Sequence, residues 1–95
     1  MAVSLRGADL GVNHDFPANL PIFHRKIGKG TANFAVQPAM SRAEAVRSVV
    51  AGIEIVNELV EQEALDLLGT GDMGIGNTTP SSAIIAAFSA YRSAR

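Results

Sequence analysis

The clearest pattern in the chain is an apolar stripe within residues 42–62. Aliphatic side chains recur there at intervals of three and four residues, which is the spacing of one face of an α-helix. Ser41 and Glu44 stand three residues apart just before the stripe, as in a capping box that starts a helix. The sequence therefore predicts a helix over 42–62 with one apolar stripe, formed by Val46, Val49, Val50, Ile53, Val56 and Val60.

The polar positions of the same helix fall on its other side. They carry charged side chains, which we interpret as a solvated surface because charge runs on one helix face are usually exposed to water. These residues are Arg47, Glu54, Glu58 and Glu61.

Shorter apolar segments predict strands on either side of this helix. Residues 8–12 predict a strand that ends at Gly11 or Val12, and the leucines of 64–68 predict a short buried strand before Gly69. Residues 13–40 contain three prolines and two glycines that break regular structure, so they predict a long irregular excursion.

A second helix is predicted to begin at Thr79, because Pro80 suits the first turn of a helix. The order is then strand, excursion, helix, strand, loop, helix. This order predicts an α/β fold, as a fragment of a parallel Rossmann-like sheet in βαβα order. The length of 95 residues predicts at most one domain. Because two strands and two helices leave sheet edges and helix faces uncovered, we expect residues 1–95 to form a single partial domain.

Composition excludes several classes of function. The net charge is −1 without a basic run, which argues against nucleic acid as a partner. The chain has no cysteine, so disulfides and thiolate metal sites are excluded. No apolar run is long enough for a membrane span and no signal peptide is evident, so we expect a cytoplasmic protein without a membrane partner. His14 and His24 lack metal-ligand spacing, and we expect no metal and no cofactor.

The stretch GTGDMGIGNTTP (69–80) is the strongest candidate for chemistry. A glycine loop that opens onto a helix N-terminus presents free N–H groups and the positive end of the helix dipole, and both favour an anion. A dinucleotide site needs an acidic residue about 20 positions further on, and none follows Asp72. A Walker A loop needs a lysine where Asn77 stands. A single phosphate remains as the ligand, and a purely structural turn remains as the alternative.

These residues also carry a family resemblance. The segments GVNHDF (11–16), RKIGKGTANFAVQPAMSRAEAV (25–46), AGIEIVNELV (51–60) and GDMGIGNTTPSSAI (71–84) resemble the nicotinate-nucleotide–dimethylbenzimidazole phosphoribosyltransferases over roughly residues 8–88. The resemblance implies transfer of the phosphoribosyl group of nicotinate mononucleotide to 5,6-dimethylbenzimidazole. The products would be nicotinate and α-ribazole 5′-phosphate, the nucleotide of the cobalamin lower ligand. It also implies small-molecule substrates, and a homodimer for the intact enzyme.

The resemblance assigns roles within the glycine loop. Asp72 matches an acidic position that would support the cationic ribosyl centre, although a carboxylate that only bonds loop N–H groups would explain it equally well. The residues that would line the nicotinate mononucleotide site, the last of them near the phosphate, are Gly74, Gly76, Asn77, Thr78 and Thr79.

A second matching motif is GKGTAN (28–33), with Lys26 and Lys29 beside it. These lysines would either face a phosphate or carboxylate or lie at the solvated surface, and the second interpretation is favoured.

The chain also departs from the family pattern. Neither the glutamate that serves as the family's general base nor its acceptor-binding segment has a match here. We therefore expect little or no transfer by the isolated chain, since a general base contributes typically ~10²–10⁴-fold. The alternatives are a non-enzymatic nucleotide- or phosphate-binding fragment, completed by another polypeptide, and an inert remnant. We also expect weak stability or self-association through uncovered helix faces.

Overall fold

The computed structural model describes residues 4–93, with side chains described as far as residue 89. Two strands of two residues each pair in parallel, with Ala8 opposite Phe23 and Asp9 opposite His24. Two helices follow along the chain. The elements are β1 (Ala8–Asp9), β2 (Phe23–His24), α1 (Arg42–Glu63) and α2 (Thr78–Ser93).

The chain divides into two compact units, Met1–Leu65 and Asp66–Arg95. The first contains β1, β2 and α1, and the second contains α2. Strands paired in parallel together with helices confirm the predicted α/β class. Neither α1 nor α2 is both long enough and apolar enough to cross a lipid bilayer within the residues that the structure describes.

The strand predicted at 64–68 is wrong. Residues 64–68 form neither a strand nor a helix, and the side chains of Leu67 and Leu68 are 88% and 47% exposed. A short leucine run forms a buried strand only if a neighbouring strand pairs with it, and 64–68 pairs with no strand among the described residues. The observed order is therefore strand, strand, helix, helix, and the βαβα order is not found among the described residues.

Backbone pairing between β1 and β2 continues beyond the strands themselves. The N–H of Phe23 donates to the carbonyl of Gly7, and that of Arg25 to the carbonyl of Asp9, both at 2.9 Å. The N–H of Ile27 then donates to Leu10 (2.9 Å) and that of Gly30 to Gly11 (2.7 Å). Between the second and the fourth of these bonds the accepting residues move from Asp9 to Gly11, while the donating residues move from Arg25 to Gly30, so the pairing is irregular. The predicted excursion of 13–40 thus contains β2. This strand is only two residues long and its pairing is irregular, so the sequence shows no periodic pattern for it.

Helix α1 confirms the predicted helix and its capping box. Ser41 Oγ accepts the backbone N–H of Glu44 at 3.1 Å, and Glu44 Oε1 accepts the backbone N–H of Ser41 at 2.9 Å. Each side chain thereby satisfies a backbone donor that the helix leaves free at its N-terminus. The helix ends one residue later than predicted, at Glu63.

The face of α1 that is packed differs from the apolar stripe. The buried side chains of the helix are Ala51, Ile55 and Leu59, which lie on the side opposite the stripe. Every stripe residue is exposed, from 36% for Val56 to 65% for Val49. The expectation of an uncovered helix face is confirmed for α1, and Ile84 and Phe88 of α2 are also exposed.

Helix α1 ends at an alanine with a left-handed backbone. Ala64 has φ 48° and ψ 54°, a region in which the Cβ atom is strained and glycine is favoured. We expect Ala64→Gly to raise the free energy of unfolding by about 0.5–1 kcal/mol, measured by urea denaturation. The control is Ala45→Gly inside the helix, which should lower it by about 1 kcal/mol. Equal destabilisation by both would show that strain at Ala64 is unimportant.

Candidate functional site

The glycine loop leads directly into α2. Residues 67–74 have no regular structure, and a turn at Ile75 and Gly76 precedes the helix. Gly76 has φ +77°, which only glycine adopts without strain, so this turn depends on the glycine. The N–H of Ser81 donates to the carbonyl of Asn77 at 3.1 Å and forms the first turn of the helix. Helix α2 begins at Thr78, one residue earlier than predicted.

The start of α2 presents unpaired backbone donors. Asn77, Thr78 and Thr79 precede the first helical hydrogen bond, and their N–H groups donate to no carbonyl in the described residues. Pro80 has no N–H group. The first turn contains no acidic side chain that would occupy these donors or offset the helix dipole. Consecutive N–H groups and the positive end of the dipole are thus open to an anion.

The six residues predicted for the site share one short stretch, 72–79. Asn77 is half-buried, and the other five (Asp72, Gly74, Gly76, Thr78 and Thr79) are exposed. No hydrogen bond to the Asp72 carboxylate occurs in the described part of the chain. The alternative role for Asp72, as an acceptor for loop N–H groups, is therefore not seen.

Two large apolar side chains also stand in this loop. Met73 is 86% exposed and Ile75 is 97% exposed. They alternate with the glycines, so the loop has both free backbone donors and apolar surface.

The second motif, GKGTAN, belongs to the unit Met1–Leu65. It lines an open pocket of about 300 Å³ at the carboxyl ends of β1 and β2. Gly28, Gly30 and Thr31 of the motif form one side, and Glu44 and Ser48 of α1 form another. Gly30 has φ +74°, and its N–H group donates to the carbonyl of Gly11. The glycine thereby closes the loop onto the end of β1.

Glu44 has a place in this pocket that sequence reasoning missed. Its Oε2 lies 3.7 Å from where a Cβ atom would stand on Gly28, so the carboxylate lies within van der Waals reach of the glycine loop. The hydrogen bond from the Ser41 backbone N–H lowers the pKa of Glu44 below its ordinary value. Glu44 is therefore ionised at neutral pH. The capping-box spacing predicted its cap role, and only the fold reveals the pocket.

Lys26 and Asp9 form a connected pair in the same unit. Lys26 Nζ lies 2.8 Å from Asp9 Oδ2 and also donates to the backbone carbonyls of Val12 and His14. Asp9 Oδ1 accepts the N–H groups of Gly11 and Val12 at 3.2 and 3.0 Å. The three ammonium protons of Lys26 thus have three partners, and the favoured interpretation of Lys26 as a solvated lysine is wrong.

Asp9 is the most buried polar residue of the described chain, with 3% exposure. Its pKa is lowered from the ordinary value of 3.8, mainly by the hydrogen bond from Lys26 and then by the Val12 N–H. The carboxylate is therefore charged and satisfied at neutral pH. This pair holds the end of β1, and it leaves Lys26 unavailable for a substrate anion.

Lys29 behaves differently from Lys26. It pairs with Asp15 at 2.7 Å, and the two side chains are 50% and 77% exposed. This exposure agrees with the favoured surface interpretation. The described residues contain no group of three or more histidine, aspartate and glutamate side chains placed to bind a metal ion.

A family model and several curated relatives match most of this chain. A family model described as a phosphoribosyltransferase matches residues 1–95. The nicotinate-nucleotide–dimethylbenzimidazole phosphoribosyltransferase of Syntrophobacter fumaroxidans is 58% identical over 84 residues, which cover 88% of this chain and 24% of that protein. The enzyme of the same name from Geobacter sulfurreducens is 52% identical over 89 residues, covering 94% of this chain and 25% of that protein.

A third relative of the same name, from Roseiflexus sp. strain RS-1, is 51% identical over 79 residues, covering 83% of this chain and 22% of that protein. The chain thus spans about a quarter of the length of the curated relatives it matches. No solved structure matches the chain.

Proposed function

Because the chain belongs to the phosphoribosyltransferase family, we propose that it carries the mononucleotide-binding part of a nicotinate-nucleotide–dimethylbenzimidazole phosphoribosyltransferase. The reaction transfers the phosphoribosyl group of nicotinate mononucleotide to 5,6-dimethylbenzimidazole and yields α-ribazole 5′-phosphate and nicotinate. The observation that carries this proposal is the row of N–H groups at the start of α2 that donate to no carbonyl among the described residues.

In this proposal the phosphate of nicotinate mononucleotide binds where the loop meets α2. The backbone N–H groups of Asn77, Thr78 and Thr79 donate to its oxygens, and the threonine hydroxyls add further donors. Gly74 and Gly76 leave room for the ribose and the phosphate, because no Cβ atom stands between ligand and backbone. The exposed side chain of Ile75 offers apolar contact to the nicotinate ring.

Asp72 has a catalytic role in the proposal. Positive charge develops on the ribosyl carbon and ring oxygen as nicotinate leaves, and a carboxylate nearby stabilises that charge. The exposed Asp72 carboxylate accepts no hydrogen bond from a protein group among the described residues. The general base for the benzimidazole is not among the residues assigned here, so residues 1–95 alone are expected to bind nucleotide with little or no turnover.

The wider setting belongs to the same proposal. Residues 1–95 act as a single partial α/β domain, and β1 and β2 are strands of a larger Rossmann-like sheet. The intact enzyme acts as a cytoplasmic homodimer on small molecules, without a cofactor. The length of the relatives supports the partial domain alone, because the matched segment is only about a quarter of each enzyme.

A chimera tests the proposed function. The matched segment of the Syntrophobacter fumaroxidans enzyme is replaced by the aligned residues of this chain, to which it is 58% identical. We expect the chimera to keep transferase activity of the same order as the parent enzyme. A well-folded chimera that binds dimethylbenzimidazole but transfers no phosphoribosyl group would contradict the proposal.

The same chimera tests the role of Asp72. We expect Asp72→Asn to lower kcat on the order of 10²-fold with little change in KM for nicotinate mononucleotide, because the charge acts only when the ribosyl cation develops. Steady-state kinetics with both substrates provides the measurement. An unchanged kcat would remove Asp72 from the catalytic machinery.

A further inference from the structure

Residues 32–39 form a closed loop between β2 and α1, and we name them the flap. The N–H of Ala32 donates to the carbonyl of Ala39 at 2.8 Å, which joins the two ends of the loop. Both alanines are half-buried, whereas every residue of 33–38 between them is exposed. The flap is therefore attached to the rest of its unit at a narrow neck.

The hydrogen bonds of the flap stay inside it. The backbone carbonyl of Asn33 accepts the N–H groups of Val36 and Gln37 at 3.0 and 3.1 Å. The side-chain oxygen of Asn33 accepts the N–H of Ala35 at 3.0 Å. No residue of 33–38 forms a hydrogen bond to another part of the described chain. Loops that are closed and bonded in this way are compact units of their own.

Fixed hydrogen bonds stand on either side of the neck. On one side, Gly30 donates its N–H to the carbonyl of Gly11 at 2.7 Å, so Gly30 is held at the end of β1. On the other side, Ser41 is held by the reciprocal bonds of the capping box with Glu44. The flap thus hangs between two supports that belong to β1 and α1.

Single residues connect the flap to these supports. Thr31 stands between Gly30 and the flap, and Met40 stands between the flap and Ser41. Neither Thr31 nor Met40 forms a hydrogen bond within the described residues. The hinges of moving loops are a few residues at the loop ends that absorb a change in φ and ψ. Thr31 and Met40 have this position and this freedom.

The two hinge residues also line the pocket of about 300 Å³ at the carboxyl ends of β1 and β2, together with Ala32 and Ala39 of the neck. Rotation of the flap about its hinges therefore changes the opening of the pocket. Another side of the pocket carries Glu44, whose Oε2 forms no hydrogen bond within the described residues. Closure of a loop over such a carboxylate excludes water from it.

We propose that the flap moves as one rigid piece about Thr31 and Met40, and that this motion opens and closes the pocket around Glu44. The flap controls the access of water and small solutes to the carboxylate. The proposal is independent of nucleotide binding at the start of α2, because it uses none of the residues 72–79.

Relaxation dispersion of the backbone amides in the 95-residue chain tests the motion, because loop closure occurs on the microsecond-to-millisecond timescale. We expect the flap amides to exchange with one common rate, and we expect no such exchange at Gly30 or within α1. Pro38 has no N–H and is not observed. Flat profiles across the flap, different rates along it, or exchange shared by the whole unit Met1–Leu65 would each overturn the proposal.

Two substitutions test whether the internal bonds hold the flap together. Asn33→Ala removes the acceptor of the Ala35 N–H, so we expect the exchange rate at Ala35 to depart from that of the other flap amides. Gln37→Ala is the matched control, because the Gln37 side chain forms no hydrogen bond within the described residues. It should leave the common rate unchanged. The same departure in both variants would contradict the rigid flap.

The chimera with the Syntrophobacter fumaroxidans enzyme tests the flap in a full-length protein. Phe34 lies in the flap and is 50% exposed, and residues 1–95 contain no tryptophan. The difference in emission between the Phe34→Trp chimera and the unchanged chimera reports on the flap alone. We expect the long-wavelength emission of a tryptophan in water, quenched by acrylamide. Short-wavelength emission that acrylamide does not quench would show a flap fixed by the rest of the enzyme and would overturn the proposal.

Discussion

Replacing Asp9 with asparagine will lower the midpoint of thermal unfolding of the chain by roughly 10 °C or more. The asparagine oxygen can still accept the N–H groups of Gly11 and Val12. Its amide group, however, then points at the Lys26 ammonium, so one donor faces another. Lys26 is only 23% exposed and loses its counter-charge. Thermal unfolding followed by circular dichroism measures the effect.

The matched control is the exposed pair of the same unit. Lys29 Nζ lies 2.7 Å from Asp15 Oδ2, but both side chains are at least half exposed. Asp15→Asn should change the unfolding midpoint little, because water screens exposed ion pairs. Equal effects of Asp9→Asn and Asp15→Asn would show that burial of the first pair does not matter.

The Asp9–Lys26 pair also gives stability a defined pH dependence. The folded chain holds Asp9 at a pKa below the ordinary 3.8, so the unfolded chain takes up the proton first as the pH falls. The contribution of the pair is complete well above pH 3.8 and is lost as the pH falls through the lowered pKa. Asp9→Asn should flatten the loss of stability in acid. Part of the slope should remain, because the pKa values of Asp15 and Glu44 are also lowered.

Thr79→Glu will weaken the binding of nicotinate mononucleotide on the order of tenfold or more, while making α2 more stable by about 0.3–1 kcal/mol. A carboxylate in the first turn interacts favourably with the helix dipole. The same carboxylate repels a phosphate bound to the N–H groups of that turn. The two effects have opposite signs, so the substitution separates ligand binding from helix stability.

Thr79→Gln is the matched control, since it has the size of glutamate without the charge. We expect it to bind nicotinate mononucleotide within a few-fold of the unchanged chain, as measured by isothermal calorimetry or amide shifts. If Thr79→Glu binds as well as Thr79→Gln, the phosphate does not lie at the start of α2.

The sequence predicted those parts of the fold that rest on local signals. Helix α1 follows from its apolar spacing and from Ser41 and Glu44, whose side chains and backbone bond each other directly. Pro80 predicted the start of α2 to within one residue, at Thr79 where the helix begins at Thr78. The strand at 64–68 was predicted wrongly, because the leucine pattern indicates apolarity but not the presence of a partner strand.

Non-local features were not predictable from the sequence alone. Asp9 and Lys26 are far apart in the chain, and only the parallel pairing of β1 and β2 brings them within 2.8 Å. Gly28 and Glu44 are also brought together only by the fold, since they belong to a loop and to a helix. The site residues within 72–79 were predicted from the glycine motif and the family resemblance, since a loop before a helix needs no distant partner to present its N–H groups. Their roles remain predictions.

The most direct test of the central claim, that the loop before α2 holds the substrate phosphate, is an amide NMR titration of the 95-residue chain with nicotinate mononucleotide. Nicotinate alone and inorganic phosphate serve as comparison ligands. We expect saturable shifts confined to the amides of 72–79, strongest for Asn77, Thr78 and Thr79, weaker with phosphate and absent with nicotinate. No shift at millimolar nucleotide, or shifts confined to GKGTAN, would contradict the claim.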